Sequence, residues 1–411
     1  MKKGREFLAL DIGSARIKAL ACEARRDGTL HISSLFVMPS RGMRRGMVDD
    51  VAEVAGAVNQ ALVEIRKESP NAHKEIFVNI ASAYVKSQTS RGIVAVSRAD
   101  YQIHHDDIMR VEAAAQAMSI PPNRAVVHLI NQEYIVDGIT GIKDPLGMVG
   151  NRLELVSMIV DVFEPAVKSL TKAIETAGGE VGGMIFGPLA SGRSVLTRNQ
   201  KDLGVVVVDI GHETTSMAVY EEGKLVHVAA FPIGGANVTN DVAVGLRVSL
   251  EAAEMIKCSL GSAVAKDVPA RDMIDLARVD ARAKGAVPRR FVAEIIEARY
   301  AEIFEFVEAE LKRIGKAGRL PAGAVLSGGG AKVAGVIERA REELRLPAQL
   351  GIPDVSRFEF AREGMMEKAE DPEFACATGL VGWGREHGEE PVGQASQALG
   401  VFRKLIDYFM P

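Results

Sequence analysis

The sequence is poor in the residues that build disulfide frameworks and metal clusters. Its 411 residues include only three cysteines, Cys22, Cys258 and Cys376, which lie far apart and form no CxxC pair. An odd number of cysteines without zinc-ligand spacing argues against a disulfide scaffold and a structural zinc site. The cysteine usage fits a reducing compartment.

The chain also lacks a strong charge of either sign and a long apolar run. Lys and Arg number 50 against 54 Asp and Glu, for a formal net charge of -4. No overall basic field draws such a chain onto nucleic acid, so nucleic-acid binding is not expected. No stretch approaches the roughly 18 uninterrupted apolar residues of a membrane span. Any membrane contact is therefore predicted to be peripheral.

The composition is that of an ordinary soluble protein, with 47% apolar and 25% charged residues. The chain is too long for one hydrophobic core. Apolar residues at helical spacing predict helices over residues 51–65, 250–258 and 291–314. Strand patterns alternate with them, for example at residues 75–80 and 323–326. The mixture predicts an α/β protein with more than one lobe.

Two hairpins share one pattern. Residues 7–12 and 17–22 read as strands joined by a turn, and the segment 205–220, VVVVDIGHETTSMAVY, repeats that arrangement. Each first strand ends in Asp-Ile-Gly, at Asp11 and at Asp209. The copies lie nearly half a chain apart, too far for a solenoid repeat of roughly 20–50 residues, so they indicate two related domains.

The residues of these turns are suited to phosphate. Backbone N–H groups, hydroxyls and a cation are the groups that bind phosphate oxygens, while Mg²⁺ prefers carboxylates and water. One such turn is indistinguishable from an ordinary turn, but two can face each other and clamp a phosphate chain. The candidates are Asp11, Gly13, Ser14 and Lys18 in the first copy and Asp209, Gly211, Thr214 and Thr215 in the second. Asp11 and Asp209 are the predicted Mg²⁺ carboxylates.

Two further features fit a nucleotide. The glycine run Gly328, Gly329, Gly330 follows a strand, where missing side chains let a base or sugar approach; a plain strand-to-helix turn is the alternative. Glu254 and Lys257 share a helix face and can bond ribose hydroxyls and the base edge, although two such residues more often form a solvated ion pair.

The order of these motifs is specific. DIGSARIK, VVVVDIGHETTS, EAAEMIK and VLSGGGAKVAG resemble the phosphate, phosphate, ribose and adenosine motifs of the actin, heat-shock chaperone and sugar-kinase superfamily. Four other segments narrow the resemblance to the FtsA family: SRGMRRGMVDD, INQEYIVDGITGIKDPLGMVGNRLE, FGPLASGRSVL and FPIGGANVTNDVAVGLRVSLEAAEMIK.

The resemblance implies an actin-like two-lobed fold with duplicated ribonuclease-H-like domains, an inserted subdomain, and ATP with Mg²⁺ as ligands. It adds Gly234, Gly235 and Lys332 to the nucleotide contacts. The implied subdomains are 1A (1–85, 163–200 and 360–384), 1C (86–162), 2A (201–230 and 306–359) and 2B (231–305), then a flexible linker (385–399) and a terminal helix (400–411).

The resemblance also implies partners: the FtsZ C-terminal tail, further copies of the chain in a filament, later division proteins through subdomain 1C, and the inner membrane face at the division site. Arg290 and Arg299 are the candidates for acidic groups of the FtsZ tail, and solvated helix charges are the alternative.

The end of the chain reads as an amphipathic helix. Its charged face carries Arg403, Lys404 and Asp407, and its apolar face carries Val401, Phe402, Leu405, Ile406 and Phe409. Such a helix can lie in the headgroup plane of a membrane; docking onto its own domain is the alternative.

Two features depart from the family pattern. The second turn reads Gly211-His212-Glu213, and Glu213 would repel a phosphate chain unless it turned away. Residues 187–196 contain no Gln, Asp or Glu to position an attacking water, so hydrolysis is predicted to be slow. A PilM-like pilus adaptor and a sugar or acid kinase of the same superfamily remain alternatives.

Overall fold

The computed structural model describes residues 4–25, 27–117 and 120–389. The chain begins with the predicted hairpin, and an α-helix follows at the predicted place. The Asp50 side chain caps that helix by accepting hydrogen bonds from the backbone N–H groups of Ala52 and Glu53, at 2.8 and 3.0 Å. The elements are β1 (Arg5–Ile12), β2 (Arg16–Ala24), β3 (Leu30–Pro39), β4 (Met43–Arg44), β5 (Met47–Val48), α1 (Val51–Arg66) and β6 (Ile76–Ile80).

A separate small sheet then interrupts the first lobe. Its strands pair in the order β7, β10, β8, β9, and one helix covers a face with its own apolar core around Val111, Leu153 and Leu155. The elements are β7 (Lys86–Ala95), α2 (His105–Gln116), β8 (Arg124–Val136), β9 (Ile139–Ile142) and β10 (Arg152–Phe163).

The first lobe resumes and leads into the second. The elements are α3 (Glu164–Thr176), β11 (Val181–Phe186), α4 (Gly187–Val195), α5 (Arg198–Leu203), β12 (Val205–Ile210), β13 (Thr215–Glu221), β14 (Lys224–Phe231), α6 (Gly235–Leu246) and α7 (Leu250–Leu260). They continue with β15 (Met273–Asp275), β16 (Ala286–Pro288), α8 (Arg289–Arg313), β17 (Ala324–Ser327), α9 (Val336–Leu344) and β18 (Ala348–Leu350).

The described chain closes on the first lobe with β19 (Phe358–Phe360), α10 (Met365–Ala369) and α11 (Ala375–Glu389). The helix α11 crosses α4 so closely that a Cβ on Gly379 would lie 1.8 Å from the Ala190 carbonyl oxygen. The predicted linker began at residue 385, inside this helix, and that start is wrong. Trp383 packs against the core and Arg193 pairs with Glu386, which holds the last turns in place.

The two main sheets have the same topology. The first runs β11, β6, β1, β2, β3, with β19 added at its edge, and the second runs β18, β17, β12, β13, β14. In each, the hairpin strands are antiparallel and the next two strands are parallel. The duplication predicted from the two Asp-Ile-Gly turns is therefore present in the fold.

One apolar core extends across both lobes. It joins Phe7 of the first sheet to Val205 and Val207 of the second through α4 and α11. None of the helices in the described residues is long and apolar enough to cross a bilayer. The predicted terminal helix, with Val401, Phe402, Leu405, Ile406 and Phe409, lies outside the described residues, as do residues 390–399 of the predicted linker.

Candidate nucleotide-binding site

The two predicted turns have matching geometry. In the first, the Gly13 N–H donates to the Arg16 carbonyl at 3.0 Å, and in the second the Gly211 N–H donates to the Thr214 carbonyl at 2.8 Å. The strand register pairs Asp11 with Lys18 and Asp209 with Ser216. The turns therefore differ in charge, because a cation occupies one position and a hydroxyl the equivalent one.

The first turn is held by a buried ion pair. Lys18 Nζ lies 2.9 Å from Asp11 Oδ2, and both residues are buried. Burial alone would lower the pKa of Lys18, but the carboxylates of Asp11 and Glu373 outweigh it and raise that pKa. Asn79 supports the strand end by accepting the Ile12 N–H at 2.7 Å. The ammonium is thus charged and fixed at the start of the turn.

The second carboxylate is held from the other lobe. Ser191 Oγ, on α4, donates to Asp209 Oδ2 at 2.6 Å. Burial raises the pKa of Asp209, the Ser191 hydrogen bond opposes that rise, and the nearby charge of Asp11 adds to it. The two carboxylates therefore repel each other, and a dication between them would relieve the repulsion.

Asp11 and Asp209 are the two carboxylates that could hold Mg²⁺ here. In the part of the chain that the structure describes, no three His, Cys, Asp or Glu side chains are grouped to hold a metal. Ligands beyond Asp11 and Asp209 would have to be water and phosphate oxygens, which is how Mg²⁺ is usually held.

The second turn docks onto a helix N-terminus. Gly235 N–H donates to the Gly211 carbonyl at 2.9 Å, and Ala236 N–H donates to the His212 carbonyl at 2.6 Å. A Cβ on Gly234 would lie 2.7 Å from the Gly211 oxygen. The glycines Gly234 and Gly235 therefore permit close contact between α6 and the turn.

Glu213 is turned toward the first lobe. Its Oε2 accepts a hydrogen bond from the Arg45 backbone N–H, at 2.6 Å, in the short hairpin of β4 and β5. The neighbouring His212 has its pKa lowered, mainly by burial and then by Lys257, which favours the neutral imidazole. The Glu213 carboxylate thus contacts a first-lobe amide.

Glu254 and Lys257 form the predicted pair on α7. Lys257 Nζ lies 2.7 Å from Glu254 Oε2, and it also donates to Thr239 Oγ1 at 2.9 Å and to the Gly235 carbonyl at 3.2 Å. Lys257 is buried, whereas 44% of the Glu254 side chain is exposed. The hydrogen bonds from Lys257 and Thr239 outweigh burial and lower the pKa of Glu254. An exposed carboxylate with a fixed orientation is thus available beside the turn.

The glycine run lies against the second carboxylate. Gly328 has φ +83°, and a Cβ there would lie 2.4 Å from Asp209 Oδ1; a Cβ on Gly330 would lie 2.4 Å from Ile210 Cγ2. Gly329 faces open space. Two buried hydroxyls at the strand ends, on Thr215 and Ser327, have no hydrogen-bond partner in the structure. Gly328 and Gly330 thus pack against the strand end of Asp209 and Ile210, and the approach of a base or sugar to this run stays a prediction.

Lys332 and the two candidate arginines are all ion-paired. Lys332 Nζ lies 2.5 Å from Asp371 Oδ2. Arg299 makes two hydrogen bonds to Asp241, of 2.5 and 3.0 Å, and it also pairs with Glu302. Arg290 is 47% exposed and lies 3.9 Å from Glu294. Of the two predicted contacts for an acidic tail, Arg290 is therefore the one available at the surface.

Sequence reasoning missed Arg16, Ser191, Thr239 and Glu373, which all contact residues of the site. Thr239 and Ser191 each lie within a segment that resembles the FtsA family. Their place in these segments could have indicated that they belong to the site. Glu373 had no such signal, because its pair with Arg16 joins residues 357 positions apart.

Sequence comparisons agree on one family. A family model described as Cell division protein FtsA matches residues 206–379, and a model of the SHS2 domain inserted in FtsA matches residues 82–160. The chain is 36% identical over 384 residues to the cell division protein FtsA of Pseudomonas aeruginosa, covering 93% of this chain and 90% of that protein. It is 32% identical over 390 residues to FtsA of Escherichia coli K12, covering 92% and 90%.

Comparison with solved structures shows the fold. A chain of the PilM-PilN type IV pilus biogenesis complex superposes with a TM-score of 0.66 at 19% identity, covering 94% of this chain and 99% of that one. MreB5 of Spiroplasma citri bound to ADP gives a TM-score of 0.56 at 12% identity, with the same coverage. The predicted actin-like fold with an inserted subdomain is confirmed.

Proposed function

The chain belongs to the FtsA family of cell division proteins, and from that premise we propose that it binds Mg-ATP between its lobes, polymerises into actin-like filaments and tethers FtsZ filaments to the inner face of the cytoplasmic membrane at the division site. The observation that carries the nucleotide part is that both Asp-Ile-Gly turns, the Glu254–Lys257 pair and the glycine run lie together: the charge of Asp11 acts on Asp209, Gly328 packs on Asp209, and Lys257 bonds Gly235 beside the second turn.

Each lobe contributes different chemistry to the proposed site. The first supplies the charged Lys18 and the amides of its turn for the phosphate chain. The second supplies Glu254 for ribose hydroxyls and the run Gly328 to Gly330 for the close approach of the adenosine. A ligand that touches both lobes fixes their relative position, which is how binding favours one filament-forming conformation.

Asp11 and Asp209 would hold Mg²⁺ through water, and Ser191 orients Asp209 for that task. The ion supplies positive charge that neutralises the phosphate oxygens. The helix α4, GPLASGRSV, contains no Asp, Glu or Gln that could act on water. We therefore propose slow hydrolysis, so that the nucleotide serves mainly as a structural ligand.

Membrane tethering is assigned to the terminal segment 400–411, whose apolar face has Val401, Phe402, Leu405, Ile406 and Phe409. One short amphipathic helix binds weakly and reversibly, but a filament presents many helices together and gains avidity. Polymerisation thereby couples nucleotide binding to membrane attachment. The FtsZ tail is assigned to the outer part of the second lobe, where Arg290 offers an exposed cation.

Liposome flotation of the purified full chain, with and without ATP, tests this proposal, and electron microscopy scores filaments. A synthetic FtsZ C-terminal peptide is titrated in parallel. We expect ATP-dependent filaments, flotation and peptide binding, and we expect deletion of residues 401–411 to abolish flotation while the fold persists. Indifference to lipid and to the peptide would instead favour a pilus-type adaptor.

A further inference from the structure

An acidic segment of the first lobe lies across the candidate phosphate site. Residues 371–374, Asp-Pro-Glu-Phe, form a single helical turn directly before α11. The backbone of this segment reaches the second lobe, because the Gly328 N–H donates to the Pro372 carbonyl at 3.0 Å. The 371–374 segment therefore sits between the first turn and the glycine run.

Glu373 is surrounded by cations from both lobes. Arg16 Nη1 lies 3.3 Å from each of its carboxylate oxygens, Lys18 Nζ lies 3.9 Å away and Lys332 Nζ lies 4.0 Å away. Only 16% of the Glu373 side chain is exposed. At this degree of burial, charges within 4 Å attract one another more strongly than they would in water.

Lys18 is the cation that the proposed function assigns to the phosphate chain, and Arg16 and Lys332 lie beside it around the same carboxylate. Lys18 is shared between Asp11 and Glu373, and its ammonium also lies 6.0 Å from the ring centre of Phe374. Lys332 is shared between Asp371 and Glu373. A phosphate chain bound at the place of the Glu373 carboxylate would take over the cations that this carboxylate now neutralises.

We propose that Glu373 is an intramolecular competitor for the phosphate-binding cations, whose carboxylate is displaced by the outer phosphates of a bound nucleotide. The inference rests on the proposed ATP binding and defines how that site discriminates among nucleotides. The displacement cost falls only on ligands that reach Arg16, Lys18 and Lys332, so an adenosine without phosphates leaves Glu373 in place. ATP affinity is consequently lower than the cations alone would give.

The displacement has a mechanical consequence. Glu373 stands two residues before the start of α11, and α11 packs on α4, which carries Ser191. Moving the Glu373 carboxylate breaks its ion pairs with Arg16 and Lys18, while Asp371 keeps its pair with Lys332. Phosphate occupancy is thereby transmitted to the N-terminus of α11.

The test is calorimetric titration of ATP, ADP and adenosine, with Mg²⁺, into the full chain, Glu373→Gln and the matched control Glu367→Gln. Glu367 lies exposed on α10 of the same region, so its replacement removes the same charge away from the cations. We expect Glu373→Gln to bind ATP about tenfold more tightly, because a competing charge is gone. The gain should be smaller for ADP and absent for adenosine, and Glu367→Gln should change none of them.

Several outcomes would overturn the inference. If wild type binds ATP and Glu373→Gln binds it equally or more weakly, Glu373 stabilises the structure and does not compete with phosphate. A parallel change for adenosine leads to the same conclusion. If wild type binds no nucleotide at all, the proposed function itself fails. Should Glu373→Gln not fold, Glu373→Asp retracts the carboxylate from the cations, and an unchanged ratio of ATP to adenosine affinity there contradicts the competitor role.

Discussion

Ser191 of the first lobe donates a 2.6 Å hydrogen bond to Asp209 of the second, so a lobe-bridging contact orients a candidate Mg²⁺ carboxylate. Both residues stand where α4 passes between the two sheets. The contact links the relative position of the lobes to the geometry of the site.

Replacing Ser191 by Ala should weaken Mg-dependent ATP binding about tenfold, because Asp209 loses the Ser191 hydrogen bond and its orientation. Calorimetry measures the ATP affinity once with Mg²⁺ and once with a chelator. Only the affinity measured with Mg²⁺ should fall. Ser194→Ala is the matched control, since Ser194 on the same helix bonds the Ala375 carbonyl instead. Equal losses in both variants would point to general damage of α4.

Gly328→Ala should destabilise the chain by at least about 2 kcal/mol. A left-handed φ of +83° is costly for any residue with a Cβ, and that Cβ would lie 2.4 Å from Asp209 Oδ1. Gly329→Ala, next along the chain, meets nothing within 4 Å and should be nearly neutral. Denaturant unfolding of both variants measures the difference, and similar free energies of unfolding would contradict the packing described.

The strands and turns of the site were predictable because they are local. Apolar runs and Asp-Ile-Gly turns locate β1, β2, β12 and β13 to within two residues. Helix ends were close for the same reason, as in α1, where Asp50 provides a cap.

The cross-lobe contacts were not predictable in the same way. Ser191 and Asp209 are 18 residues apart, and Arg45 and Glu213 are 168 apart. Nothing in either local pattern marks the partner, because the contact depends on how two lobes pack. The alternative of a solvated Glu254–Lys257 pair is wrong, because Lys257 is buried and donates hydrogen bonds to Gly235 and Thr239. These contacts too depend on how neighbouring helices pack.

Replacing the two arginines on α8, Arg290 and Arg299, should have different effects on peptide binding and on stability. Arg299→Ala should lower the free energy of unfolding by about 1–2 kcal/mol, because Asp241 loses a two-point ion pair. Arg290→Ala should leave stability nearly unchanged and weaken binding of the FtsZ peptide, since its guanidinium is largely exposed. Peptide titration and denaturant unfolding of each variant test this, and the reverse assignment would move the proposed tail site toward Arg299.

His227 should make stability depend on pH. Burial lowers its pKa below the ordinary 6.5, although Glu310 opposes the shift. As pH falls below 6.5, the unfolded chain binds a proton that the folded chain does not, so stability is lost until pH reaches the lowered folded pKa. The loss is about 1.4 kcal/mol for each unit of difference.

His227→Gln should show a shallower loss than wild type between about pH 7.5 and pH 5.5, measured by denaturant unfolding. His73 and His212, whose pKa values are also lowered, remain in both proteins and cancel in the comparison. Identical pH profiles would show that the pKa of His227 is the same in the folded and the unfolded chain, which contradicts the lowered value. Its Nδ1 contact with Ser87, at 2.9 Å, makes the inserted subdomain sensitive to the same change.

The split first lobe sets an order of assembly during synthesis. The second lobe is one continuous stretch from β12 to β18, whereas the first lobe's sheet receives β19, and its packing receives α11, only from residues 358–389. Domains begin to fold as they leave the ribosome. The second lobe can therefore complete its core while the first still lacks its last strand and the segment that carries Glu373. The candidate site is therefore completed by residues 371–374, which are among the last of the described residues to be synthesised.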